Sequence, residues 1–245
     1  MRQLRFYLSL SFDINQEYDV PESSARRMVR VLRLKEGDEI TLFNGDNHEY
    51  AALIIDAGKK SVRVRVFGKS EVNRESPLYT HLIQSLSKGD KMEVTIQKAV
   101  ELGVSVMTPV SSERTNVSLA GARLEKKMLH WQGVVESACE QTGRNRLPEL
   151  RPLAGLKSAL DVCRGVLALK LILSPQAESS LVEIKTSAQN VIILIGPEGG
   201  LSEAEIAYAL DCGFVAVKAG PRVLRTETAG PAILSVAQML WGDLG

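Results

Sequence analysis

The sequence predicts two joined parts: a small β-barrel at the amino end, then an α/β domain with a mostly parallel sheet. Three observations carry this. Through the first 70 residues, short runs of strand character are separated by tight turns, the pattern of a small barrel. From Leu78 onward, strand-like and helix-like stretches alternate, the pattern of a parallel sheet covered by helices. Between them lies Gly68–Pro77, polar, charged and closed by proline, which reads as a linker. The expected domains are 1–72 and 73–245.

In the first part, Pro21 with Ser23 and Ser24 offers a helix start, and Ala25–Leu34 is helix-compatible. Gly37-Asp38 is a turn, Glu39–Phe43 a strand, and Asn44-Gly45-Asp46-Asn47 a strong hairpin signal. Glu49–Asp56 and Ser61–Phe67 follow as strands. In the latter Val62, Val64 and Val66 alternate with Arg63 and Arg65, so one face is apolar. In the second part, Leu78–Leu86 and Val104–Val110 read as strands flanking an amphipathic helix, Lys88–Leu102, closed by Gly103. Arg123–Gln141 is a longer helix. Leu167–Leu173 and Val191–Ile195 are buried-type strands, Ser202–Asp211 a helix stopped by Gly213, and Phe214–Lys218 a strand. A last helix runs towards Trp241.

With 44% apolar and 24% charged residues in 245, the composition is that of a folded globular chain and excludes collagen, coiled coil and disorder. Apolar runs such as Val191–Ile195 fall far short of the ~20 residues of a membrane span. The start, Met1 to Arg5, lacks the apolar stretch of a signal peptide, so a cytoplasmic protein is expected. Cys139, Cys163 and Cys212 form no C-x-x-C pair and read as buried thiols. His48, His81 and His130 lack ligand spacing, so no metal is expected.

Two glycine-bearing segments follow predicted strands. Ile195-Gly196-Pro197-Glu198-Gly199-Gly200-Leu201-Ser202 joins an apolar strand to a helix, and Ser202 with Glu205 matches a capping box. It is neither a P-loop nor a dinucleotide fingerprint. The second is Ala219-Gly220-Pro221-Arg222-Val223-Leu224-Arg225-Thr226-Glu227-Thr228-Ala229, where Thr226 or Thr228 is placed to cap the last helix. Arg225 stands at a helix amino terminus, a costly place for a cation, which points to contact with an anionic group. Pro231 requires that helix to begin effectively near Thr228. Ligands of open α/β sheets bind beyond the strands' carboxyl ends, so these two turns are expected to form one pocket. Glycine-lined walls suit a neutral or zwitterionic ligand with an adenine better than a triphosphate.

Two segments are basic. Arg26, Arg27, Arg30, Arg33 and Lys35 come with no acid among them, and on a helix 26, 30 and 33 share a face opposite Met28, Val29, Val31 and Leu32. Arg144 and Arg146 stand in the polar helix exit 140–148. Guanidinium groups suit phosphates and base edges; a solvated helix face or a helix carboxyl-terminal cap is the plainer alternative.

The sequence resembles the RsmE family of SPOUT methyltransferases. The resemblance rests on Arg5-Phe6-Tyr7, 31–38 (VLRLKEGD), 84–92 (QSLSKGDKM), 97–104 (QKAVELGV), Glu113-Arg114, Trp131-Gln132, 140–149 (EQTGRNRLPE), Gly196–Leu201 and Gly220–Ala229. It implies a PUA-like RNA-binding barrel, an α/β domain with a deep trefoil knot, and a homodimer. The activity implied is methyl transfer from S-adenosylmethionine to N3 of a specific uridine in 16S rRNA of the 30S subunit. It places Leu173, Ile195, Gly196, Pro197, Glu198, Gly199, Gly200, Ala219, Gly220, Val223, Leu224, Arg225 and Thr226 against the cofactor. It sets Arg5, Arg26, Arg27, Arg30, Arg33, Lys88, Lys91, Arg114, Arg144 and Arg146 towards RNA. Family members often carry His near Arg26 and Arg27, and Gly230-Pro231 interrupts a helix start that is often rich in Ala and Leu.

Neutral uridine N3–H is a poor nucleophile, so its proton must be handled. Glu198 as base and Arg225 as stabiliser of the developing anion both remain open. Methylation of a ribose 2′-hydroxyl, a non-catalytic RNA-binding factor, and a nucleotide- or anion-binding enzyme are the competing functions.

Overall fold

The computed structural model describes residues 4–58, 61–184 and 188–245, so the start read above includes residues 1–3, which lie outside the described ones. The chain separates into two units. One holds the described residues up to Glu75 together with Glu136–Leu147; the other holds Ser76–Val135 and Pro148–Gly245.

The first unit contains β1 (Arg5–Tyr7), β2 (Glu17–Val20), α1 (Glu22–Arg26) continuing into a π-turn at Arg27–Val31, β3 (Glu39–Phe43), β4 (His48–Ala57) and β5 (Val62–Glu71). They form one sheet in the order β1-β3-β4-β5-β2, with β1 parallel to β3 and the other pairs antiparallel. β1 and β2 end this path and are not paired with each other among the described residues. On β5 the alternation holds: Val62, Val64 and Val66 are buried with Phe6, Met28, Leu42 and Ile54. Arg63 and Arg65 face solvent and pair across the strand with Asp19 and Glu17 of β2. β5 runs on to Glu71, so the first four residues of the expected linker are strand.

The basic helix is shorter than its sequence pattern. Leu32 N–H bonds the Arg27 carbonyl, five residues back, and Arg33 adopts φ +58°. The wider π-turn breaks the 3.6-residue phase. Arg33 therefore does not share a helix face with Arg26 and Arg30, and Val31 is 71% exposed instead of buried.

The second unit contains β6 (Tyr79–Ser85), α2 (Lys91–Glu101), β7 (Val106–Ser111), β8 (Glu149–Leu150), β9 (Ala154–Gly155), α4 (Leu156–Arg164), β10 (Leu169–Leu173), β11 (Asn190–Ile195), α5 (Glu203–Asp211), β12 (Val215–Val217) and α6 (Thr226–Trp241). Helix α3 (Gly121–Thr142) begins in this unit and ends in the first. The sheet runs β12-β10-β11-β6-β7-β8, with every pair parallel. Helix α4 is an addition to the expected elements. Its Leu156, Ala159, Leu160 and Cys163 are buried in the core with Ile172, Ile192, Leu194 and Phe214. Helix α6 starts at Thr226, two residues earlier than Pro231 would favour, so Pro231 lies inside it.

Candidate active site

The carboxyl ends of β10, β11 and β12 open onto one cavity of about 570 Å³, within the ~300–1,000 Å³ usual for small-molecule sites. The first wall is the turn after β11. Its last residues, Val191–Ile195, are buried, so the chain emerges from a fixed strand. Gly196 is closely packed: a Cβ would stand 3.0 Å from the Leu201 side chain and could be accommodated only if Leu201 shifted. Gly200 closes the turn at φ +70°, and its N–H bonds the Pro197 carbonyl at 2.9 Å. The capping box then starts α5: the Ser202 hydroxyl accepts from the Glu205 N–H, and Glu205 accepts from the Ser202 N–H.

The second wall is the turn from β12 to α6. Gly220 takes φ +74°, and the space a Cβ would occupy there has nothing within 4 Å. Thr226 does not cap α6 through its side chain. Its hydroxyl donates to the Gly196 carbonyl at 2.8 Å and accepts from Gln84 Nε2 at 3.0 Å. Gln84 and Thr226 are both buried, so the two glycine-bearing turns are tied together from beneath. The β10 exit, with Leu173, Ser174 and Gln176, completes the cavity.

All thirteen residues expected at a cofactor, from Leu173 and Ile195 through Thr226, line this cavity. Its walls mix apolar side chains (Ile172, Leu173, Ile195, Leu201, Val223, Leu224) with the backbone of the glycine turns. Such a donor set fits S-adenosylmethionine: the backbone amides and carbonyls of the glycine turns could pair with an adenine, and the aliphatic side chains would supply an apolar wall for it. The open space at Gly220 is room a side chain would fill.

Lys91 and Arg114, expected at RNA, also line the cavity. Lys91 Nζ lies 3.3 Å from Glu198 Oε1 and 3.6 Å from Glu227 Oε2, and Arg114 donates to the Gly199 carbonyl. Burial favours the protonated form of Glu198. Hydrogen bonds from its own N–H, from Lys91 and from the Lys88 N–H outweigh that and hold the carboxyl below the usual range. Arg225 is exposed and makes no ion pair among the described residues, while the nearby Glu227 carboxylate faces Lys91.

Of the other cations expected at RNA, Arg30, Arg33, Lys88 and Arg146 are exposed, and Arg26 pairs with Glu22 on its own helix. Arg27 pairs with Glu140 and stacks over Phe6. Arg5 and Arg144 are largely withdrawn from solvent. Arg5 pairs with Glu49 and reaches Asn145, and Arg144 pairs with Glu75, with side chains only 10% and 5% exposed. These two stitch residues 140–147 into the first unit and are corrected from RNA contacts to structural ones. Gln84 and Glu227 were not anticipated. Both lie in segments that the sequence singles out, but their roles depend on which distant turns they meet.

Cys139, Cys163 and Cys212 are free and buried, and burial pushes the Cys139 thiol up to about 12. Among the described residues no cluster of His, Cys, Asp and Glu could hold a metal, and no helix is long and apolar enough to cross a membrane.

Residues 74–238 match the family described as RNA methyltransferase domain, and residues 28–67 match the RNA methyltransferase PUA domain. The ribosomal RNA small subunit methyltransferase E of Buchnera aphidicola subsp. Schizaphis graminum is 36% identical over 242 residues, 98% of this chain and 97% of the relative. Among solved structures, the ribosomal RNA small subunit methyltransferase E of Neisseria gonorrhoeae, bound to S-adenosyl methionine, is 39% identical with a TM-score of 0.91. A Legionella pneumophila chain described as a methyltransferase in complex with SAM is 42% identical with a TM-score of 0.95. Each of the two covers 100% of this chain and 100% of its own.

Proposed function

Because the chain belongs to the family of ribosomal RNA small subunit methyltransferase E, we propose that it methylates N3 of a specific uridine in 16S rRNA. It is an RNA methyltransferase dependent on S-adenosylmethionine. The proposal includes a SPOUT-type trefoil knot in residues 73–245, a PUA-like RNA-binding part in 1–72, a homodimer, and work on the small subunit in the cytoplasm. One observation carries the site assignment: the turns after β10, β11 and β12 converge on one cavity, tied by Thr226.

S-adenosylmethionine, when bound, supplies the methyl group already activated on a positively charged sulfur. The chain supplies position and electrostatics. Leu173, Ile195 and Leu224 exclude water from the cavity wall, and the Gln84–Thr226–Gly196 link fixes the turns against each other. The uridine must be unpaired or extruded, since pairing hides its N3 edge. Of the two open roles, the site favours Arg225. Glu198 is held ionised by Lys91 and two backbone amides, which weakens it as a base. Arg225, in no ion pair among the described residues, lines the cavity and suits the negative charge that grows on the uracil oxygens as N3 gives up its proton to solvent.

The experiment is mass mapping of 16S rRNA nucleosides from a strain lacking this protein, complemented with wild type or Arg225→Ala. N3-methyluridine is expected to vanish without the protein and return with wild type. R225A should restore it poorly, with turnover down about 10²-fold or more and binding of S-adenosylmethionine largely kept. An unchanged N3-methyluridine signal, or loss of a ribose-methylated nucleoside instead, rejects the proposal.

A further inference from the structure

The first unit carries a surface feature that its packing does not explain. After the π-turn, the chain projects a tip at residues 30–35. Met28 and Leu34 anchor its base, at 0% and 9% exposure, while Val31 is 71% and Leu32 38% exposed. Around these two apolar side chains stand Arg30, Arg33 and Lys35, all exposed and none in an ion pair among the described residues. The tip is well held. Leu32 N–H bonds the Arg27 carbonyl, Leu34 N–H the Met28 carbonyl, and Lys35 N–H the Asp38 carboxylate. Arg33 is kept at φ +58°, a conformation that disfavours any residue with a Cβ. Backbone strain, a π-turn and exposed adjacent aliphatic side chains coincide here, and each is a mark of a functional segment.

We propose that residues 30–35 form an RNA-docking wedge, in which Val31 and Leu32 press against an unstacked base of the rRNA while Arg30, Arg33 and Lys35 hold the flanking phosphates. The inference rests on the reading of the chain as an rRNA methyltransferase. Apolar wedges with a basic collar are a recurrent way to grip a distorted nucleic acid, and sequence-specific RNA readers favour unstacked bases. The charge selects RNA over a second copy of this chain. With Arg26 and Arg27 paired to Glu22 and Glu140, the tip still carries three cations, Arg30, Arg33 and Lys35, in no ion pair among the described residues. A two-fold interface here would set like charges against each other.

The test uses full-length protein and 30S subunits from a strain lacking it, with binding measured across a salt series. V31S/L32S is expected to bind about tenfold more weakly at every salt concentration, with an unchanged salt slope. R30Q/R33Q/K35Q is expected to lower the slope of log affinity against log salt by roughly 2–3. Both variants should keep the wild-type thermal midpoint and the wild-type affinity for S-adenosylmethionine. With p-benzoylphenylalanine placed at Val31, photocrosslinking should capture 16S rRNA. Wild-type affinity in V31S/L32S, or a crosslink to a ribosomal protein or to a second copy of the chain, overturns the wedge. If wild type methylates the subunits while V31S/L32S binds normally, the wedge alone fails. If wild type transfers no methyl group to them, the functional reading fails.

Discussion

The hydroxyl of Thr226 takes both of its hydrogen bonds from inside the protein, one with Gln84 and one with the Gly196 carbonyl. The side chain therefore positions the two turns and leaves cofactor contact there to the backbone. Thr226→Val keeps the shape but strands a part-buried carbonyl and a buried amide, at up to roughly 1–3 kcal/mol for each group left unsatisfied. Gln84 keeps a 3.3 Å contact with the Ser85 carbonyl, which moderates the loss on its side. Affinity for S-adenosylmethionine, measured by calorimetry, is expected to fall about tenfold or more in T226V and to stay near wild type in T226S. Equal affinity in T226V would show that the turns hold each other without the hydroxyl. The sequence placed Thr226 at the site but misassigned its partner, because a threonine at a helix start is so often a cap. The same limit applies to Arg144. Its carboxylate partner Glu75 lies 69 residues away, and nothing in the local pattern distinguishes a buried ion pair from an RNA contact.

At the scale of elements, α6 lies close against β6 because Gly230 permits it. A Cβ there would stand 2.9 Å from Gln84 Oε1 and 3.3 Å from a Leu82 methyl group. Gln84 is fully buried and tethered to Thr226, so its amide has little freedom to retreat. Gly230→Ala gains about 1 kcal/mol of helix propensity but overpacks the interface at about 1–3 kcal/mol. The net expectation is a loss of stability by denaturant unfolding, accompanied by weaker cofactor binding as Gln84 is displaced. A stabilised G230A would show that α6 can shift away from β6 at no cost. Element identity was largely legible: the buried runs of β10 and β11, the capping box of α5 and the alternation of β5 each state their structure locally. Helix α4 went unread, although Leu156, Ala159, Leu160 and Cys163 stand at helical spacing. What spacing does not carry is the phase slip at Arg27–Val31, because the same residues fit an uninterrupted α-helix equally well.

For the whole molecule, strand order decides function and was the least legible level. β11 lies between β10 and β6, and β12 lies beyond β10, so three exits that are distant in sequence converge. Strand patterns announce burial, not neighbours, and the convergence could be expected only from the general behaviour of open α/β sheets. The same sheet buries one titratable group that makes folding depend on pH. His81 of β6 bonds Thr108 Oγ1 of β7 at 2.8 Å, and burial, assisted by the charge of Arg151, depresses its pKa to about 4. Unfolded, it returns to about 6.5. Above pH 6.5 the imidazole is neutral in both states and adds no pH dependence. Between 6.5 and 4 the unfolded chain binds a proton that the folded chain refuses, so stability falls as pH falls, by up to ~1.4 kcal/mol per unit. The full effect is on the order of 3 kcal/mol, a large part of the ~5–15 kcal/mol that holds a domain together. Carboxylates such as Glu49 act in a lower window. Burial raises the Glu49 pKa, but Arg74 and Arg5 bring it below the ordinary value, so its contribution is lost only as pH falls through that depressed pKa. Denaturant unfolding at pH 7, 6 and 5 is therefore expected to show a decline that His81→Gln flattens, even if H81Q is less stable at pH 7. An equal decline in H81Q would assign the acid sensitivity to other groups.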